Sequence, residues 1–379
     1  MDRLIQLRSK IAEHNETLYL AFLLPMVGLV SIGLGSYDTI YLIIFFLCCI
    51  VLGVKLLCTD YDTKEWIVLI LIGGLLLVNF FHNRERALFM TFLAVVGAKG
   101  IDVDRAVKLG LWERVILTAG KMGLCAVGIL PNPVTEPMTK FIFGQYRAFE
   151  IHTFGYTHPN QTFWNIFTIG VLAVVVYRNT IRWWGYVVIN LMMFGAYELL
   201  HCRTGFYTWI LFMGMVLLYR LAVRIKLDKP FIYLLNTANI LIPAVIFGLV
   251  IRFKMVGKSS WGFIYQLNQV LTGRLEHSAE AVPALFCQII GHSPQEGFDI
   301  GYAKFLYNYG WILFIALTFV YLVAAYRLAK NNEGMICVAF VAMSLYLVGE
   351  MMPLNASWNL TLLYIAPVVL GRREKKNEK

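Results

Sequence analysis

Charge is what this chain has least of. Only 15% of its 379 residues are charged, against 59% apolar, where soluble domains carry about a quarter charged residues. That excludes a soluble globular fold. The apolar runs are continuous, without the two-residue alternation of barrel strands, and this excludes a membrane β-barrel. There is no Walker loop, no HExxH, no GxSxG and no Cys/His metal cluster, so ATP-driven and zinc chemistry have no support and no cofactor is expected. The pair Asp60-Tyr61-Asp62 has the spacing of a metal-sugar-nucleotide motif but reads better as a solvated cytoplasmic loop. The seven cysteines are scattered. Cys48, Cys49, Cys125, Cys287 and Cys337 lie in apolar runs and read as small buried hydrophobes.

What is present is a succession of apolar runs of about 17–25 residues, the length needed to cross a ~30 Å hydrocarbon core. The fold class read from them is all-α: one polytopic membrane domain over residues 1–379, with about twelve transmembrane helices. Spans are expected near 17–35, 39–57, 66–81, 86–99, 112–130, 160–177, 183–200, 206–222, 231–250, 301–325, 335–350 and 357–370. The first sixteen residues are polar and charged, so no cleavable signal peptide is expected ahead of the first span. The connections alternate sides. The amino terminus, 55–64, 99–114, 178–182, 220–229, 327–330 and the carboxyl tail carry more than twice the Lys and Arg of the other side. The positive-inside rule then makes both termini cytoplasmic and puts the long loops 131–159 and 251–300 outside. The net charge of +10 is topological, with the tail meeting anionic lipid headgroups, and no nucleic-acid partner is expected.

The first four spans carry little chemistry, and no discontinuous-helix pair is evident, which weakens a transporter reading. Lys121 falls near the middle of the fifth span. It either faces an interior cavity or reaches water or a carboxylate such as Glu198. The four Asn-x-Ser/Thr sequons lie at or inside span ends and carry no argument.

The two outer loops hold the candidate site. Long ordered loops are usually functional. In the first, Arg147 and Tyr156 lead to His158-Pro159-Asn160, where Pro159 suits a first helical turn and Thr157 or His158 a cap. The amides beneath make an anion-friendly helix end. Arg203 is the only cation of the short turn after the seventh span, close in sequence to Glu198 and His201. The second loop contains Arg252, a Gly-punctuated turn presenting Arg274, then His292, Asp299 and Tyr302. Guanidinium is the natural clamp for phosphate, forked and permanently charged. Arg147, Arg203, Arg252 and Arg274 together point to a polyanionic ligand at the outer surface.

Four segments in order carry a resemblance: GYTHPNQTFWN (155–165), CRTGFYTW (202–209), LNQVLTGRL (267–275) and DIGYAKFLYNYGWILF (299–314). Over roughly residues 140 to 360 the chain resembles the bacterial O-antigen and capsular polysaccharide polymerases (Wzy-type), whose superfamily includes the O-antigen ligases. It departs at Cys202 and Thr272, where the family has Ser, and at Ile300, where it has a polar residue. The ligases place a histidine near the last segment. Asp299 stands there in this chain, which favours polymerase over ligase.

The resemblance implies that polyprenyl-diphosphate-linked oligosaccharides are joined outside the cell without nucleotide or metal. Arg203 and Arg274 would stabilise the leaving diphosphate, and His158 or His292 would deprotonate the acceptor hydroxyl. Glu280 and Asp299 are further candidates for that base. Arg147, Asn160, Arg252, Asp299, Tyr302 and Tyr156 would bind substrate, with Tyr156, Trp164, Trp261 and Tyr265 stacking on sugar faces. A flippase and a chain-length regulator are the protein partners this role implies. Ligase-like transfer and a flippase role for the chain itself are the alternatives.

Overall fold

The apolar runs close into helices, as backbone amides must where no water reaches them. A computed structural model describes residues 11–35, 38–133, 138–142, 145–256, 262–271, 273–280, 289–292 and 300–371. The first five helices are α1 (Asn15–Ser31), α2 (Thr39–Cys58), α3 (Thr63–Asn83), α4 (Ala87–Gly97) and α5 (Val103–Ala126). A hairpin of β1 (Met138–Ile142) and β2 (Gln145–Phe149) follows, antiparallel, with Lys140 opposite Arg147. Next come α6 (Pro159–Val176), α7 (Trp183–Leu200), α8 (Arg203–Arg224), α9 (Asp228–Val256), and the short α10 (Phe263–Val270) and α11 (Arg274–Glu280). The last are α12 (Gly301–Lys330), α13 (Gly334–Tyr346) and α14 (Ile365–Val369), with 3-10 turns at Met352–Leu354 and Leu360–Tyr364.

Among the described residues, six helices are long and apolar enough to cross a membrane: α2, α3, α6, α8, α9 and α12. The apolar segments Asn15–Ser31, Ala87–Gly97, Gly334–Tyr346 and Leu360–Val369 are shorter. Among the described residues the protein is thus helical and membrane-type in composition, with the hairpin between α5 and α6 as the exception. The second long loop is also partly built: α9 runs on to Val256, and α10 and α11 follow it.

The chain divides into two compact units of non-contiguous stretches, Met1–Cys58 with Ile101–Gly214, and Thr59–Gly100 with Met215–Lys379. In the first unit the core is aromatic. Trp164 stacks on Phe167, and Phe167 meets Trp209 edge-on at 6.1 Å. Arg114, assigned by sequence to the 99–114 connection, is instead fully buried there and donates to the Thr168 hydroxyl at 2.5 Å. In the second unit, Phe305, Leu306, Leu313 and Phe314 of α12 pack with Val250 and Phe253 of α9.

Helix α12 is not continuous. Gly310 has φ 74 and ψ 173, which breaks the helix nine residues after Gly301. The stretch Ile289–His292 packs against the break, so closely that a Cβ on Gly310 would lie 2.5 Å from the Ile289 carbonyl oxygen.

Candidate functional site

In the first unit the site residues gather where α6 begins. His158 is the N-cap of α6 in extended backbone, and its Nδ1 accepts the Asn160 amide at 3.1 Å. Accepting at Nδ1 leaves the neutral ring's proton on Nε2. The exposed His158 therefore meets solvent as a hydrogen-bond donor, which suits holding an oxyanion better than removing a proton. Asn160, half-buried, completes the capped turn.

Tyr156 turns the other way. It is 2% exposed, and its hydroxyl donates to the Ser31 carbonyl at the end of α1, at 2.5 Å. Lys121 of α5 lies 4.1 Å from the centre of the same ring and donates to the Ile32 carbonyl at 2.5 Å. The mid-span cation thus closes the carbonyl end of α1, where positive charge is favourable. Lys121 resolves as a helix-end contact, and Tyr156 as part of the scaffold. The ring expected to stack on sugar is already covered by the ammonium. Burial pushes the Tyr156 phenol up to about 12, outweighing the Thr118 hydrogen bond and the Arg114 charge that pull it down. Trp164, also expected to stack on sugar, is buried in the aromatic core.

Arg203 opens α8, half-buried, two residues after the left-handed His201 (φ 47) that ends α7. Tyr197 meets His201 edge-on and stacks on Phe206 at 4.2 Å, so the turn that carries Arg203 is pinned by aromatic contacts. Glu198 is exposed. Arg147 lies in β2.

In the second unit the expected turn is present and its construction is visible. Asn268, 1% exposed, accepts the Leu275 and Glu276 amides at 3.1 and 3.2 Å. Gly273, at φ 82, turns the chain left-handed and donates to the Asn268 carbonyl at 2.8 Å. Together they aim Arg274 at the end of α13 and the turn beyond it. One guanidinium nitrogen donates to the Gly349 carbonyl and the other lies 3.4 Å from the Glu350 carboxylate, with the Arg274 side chain only 13% exposed.

The break in α12 sits in the same unit. It frees the carbonyls of Tyr307 and Asn308, which find other donors. The His292 amide donates to Tyr307 at 2.9 Å, and the Asn83 side chain donates to Asn308. The Asn308 side-chain amide lies 3.4 Å from Glu85 and 4.0 Å from the Met351 sulfur, next to Glu350. The exposed His292 ring is tilted against Tyr307 at 5.4 Å. Asn308 therefore touches Glu85 and Met351, the residue after the Glu350 that faces Arg274, while His292 bonds Tyr307, the residue before Asn308.

Tyr302 is buried and donates to the Ser344 carbonyl at 3.0 Å, so it belongs to the packing beneath this cluster rather than to its ligand face. Arg252 is exposed on the last turns of α9. Asp299 and Trp261 lie outside the described residues, as does the side chain of Arg147.

Sequence reading missed Asn83, Glu85, Asn308, Glu350 and the break itself. The signal was there in part. Asn79 and Asn83 lie four apart on one face of α3, where Asn83 donates to Asn79 at 2.7 Å, and Asn308 precedes a glycine inside an apolar span.

No protein-family model, curated protein or solved structure matches the chain.

Proposed function

We propose that the protein polymerises lipid-diphosphate-linked oligosaccharide repeat units into capsular, O-antigen or exopolysaccharide chains at the outer face of the plasma membrane. In this reading both termini are cytoplasmic, about twelve segments cross the bilayer, and the two long loops face out. The observation that carries it is Arg274. A buried Asn268 cap and a left-handed Gly273 aim its guanidinium at Gly349 and Glu350, in the unit where His292 is exposed.

The chemistry needs little else. The acceptor hydroxyl oxygen bonds to the donor's anomeric carbon as the bond from that carbon to the diphosphate oxygen breaks. The proton passes to a base, for which His292 is the better candidate, since the Nδ1 of His158 already accepts an amide. The lipid diphosphate leaves with the electron pair. Arginine at the leaving oxygen acts where charge develops, the usual site of large electrostatic catalysis. Arg252, in the same unit as Arg274, is assigned to the same polyanionic substrate.

One observation favours a second reading. Broken helices with freed carbonyls recur at the binding sites of transporters, and α12 is broken beside Glu85 and Asn308. Deletion of the gene followed by sizing of carrier-linked and surface glycan separates the readings. Polymerase loss leaves single repeat units on the carrier outside the membrane. Flippase loss leaves no outer product, and ligase loss leaves long chains on the carrier.

A further inference from the structure

Helix α14 divides two spaces of opposite character. On one side, Ile365, Val369 and Leu370 wall an apolar cavity of about 170 Å³ that is lined on α12 from Tyr302 to Tyr321. On the other, Pro367 and Val368 join Arg327, Lys330 and Asn331 around an open polar pocket of about 310 Å³. The polar pocket lies at the far end of α12 from Gly301. The unbroken part of α12 from Trp311 to Lys330 spans about 30 Å at 1.5 Å per residue, roughly the thickness of a hydrocarbon core, which sets the pocket apart from the break at Gly310 and the Arg274 cluster beside it.

The cations of this pocket are prepared for an anion. Helix ends usually present unsatisfied carbonyls, which repel one. Here the end of α12 is closed by its own backbone: the amides of Asn331, Asn332 and Glu333 donate to Arg327, Ala329 and Leu328 at 3.0–3.1 Å. Arg327 is held in place by donating to the Val368 carbonyl at 2.7 Å, which leaves its other guanidinium nitrogens for a ligand. Lys330 is exposed beside it. Glu333, the nearest carboxylate in sequence, is not among the lining residues. The sequence continues past the pocket as Arg372-Arg373-Glu374-Lys375-Lys376, with the same sign of charge.

We propose that this pocket is a specific site for one anionic phospholipid. The phosphate lies between Arg327 and Lys330, and an acyl chain runs past Leu370 into the apolar space behind α14. The commitment to a lipid, not a free phosphate, rests on the apolar cavity that shares the α14 wall. Basic pockets at the cytoplasmic ends of membrane helices recognise headgroups in this way. The site is independent of the proposed reaction, because it lies at the other end of α12.

The test uses the full chain, purified in neutral detergent and reconstituted with phosphatidylcholine containing graded phosphatidylglycerol. Native mass spectrometry counts retained anionic lipids, and thermal unfolding reads their effect. Lys330→Gln keeps the Arg327–Val368 bond intact. Wild type is expected to retain one phosphatidylglycerol, with affinity falling about fivefold in Lys330→Gln. A variant with Arg372 and Arg373 changed to Gln retains the lipid, since diffuse attraction by the tail is a separate effect. Equal retention by wild type and Lys330→Gln, or loss only in the tail variant, overturns the site. Stabilisation by inorganic phosphate alone, matching that by the lipid, overturns the lipid assignment.

Discussion

At the residue scale, the arginines are distinguished by geometry. Arg274 bonds a carbonyl and a carboxylate through separate nitrogens, a two-pronged contact that an ammonium cannot reproduce. Arg274→Lys is therefore expected to lose most chain extension, nearly as much as Arg274→Ala, at unchanged protein level on a membrane blot. Wild-type chain lengths in Arg274→Lys would reduce the residue to a point charge. Tyr156 makes a different prediction. Its folded pKa of about 12 lies above an unfolded value of about 10. The stability from its neutral, buried phenol is thus complete below pH ~10 and lost as pH rises through ~12. Thermal unfolding should fall more steeply between these limits in wild type than in Tyr156→Phe, and parallel curves would refute the assignment. The sequence named Arg274, His158 and Arg203 because cations and caps leave local signatures. It could not tell that Tyr156 and Tyr302 turn inward, because a tyrosine beside a loop looks the same from either side.

At the element scale, the break in α12 decides where polar groups can sit. Gly310 combines positive φ with extended ψ, a region open almost only to glycine, where a side chain costs about 1–3 kcal/mol, and Ile289 occupies the space a Cβ would need. Gly310→Ala should lower stability by at least that amount and displace the Ile289–His292 stretch. Trypsin sensitivity and unfolding temperature, measured together on purified protein, check it, and an unchanged variant would mean that the break is not required. Periodicity could not reveal this feature. DIGYAKFLYNYGWILF reads as an unbroken apolar span, and the Ile289–His292 segment packed against the break lies well before it in the chain. The Gly273 turn was legible for the opposite reason: all its parts, Asn268, Gly273 and Arg274, fall within one short stretch. The hairpin of β1 and β2 was not foreseen, since its strands are too short for alternation to stand out.

At the scale of the whole molecule, composition alone gave the class, because 15% charged residues cannot clothe a soluble surface. The apolar runs marked helices, of which six among the described residues are long and apolar enough to cross a membrane. The pairing of helices did not, because in lipid every face of a helix can be apolar and periodicity no longer marks the inward side. The division into two units is equally invisible in sequence, since each unit joins stretches far apart in the chain. The central claim is that Arg274 and its neighbours extend a lipid-linked glycan outside the membrane. It is tested most directly in cells whose only copy of the gene carries Arg274→Ala, by sizing carrier-linked glycan on each side of the membrane with mass spectrometry. Single repeat units should accumulate on the outer face. Long carrier-linked chains, or single units trapped inside, would contradict it.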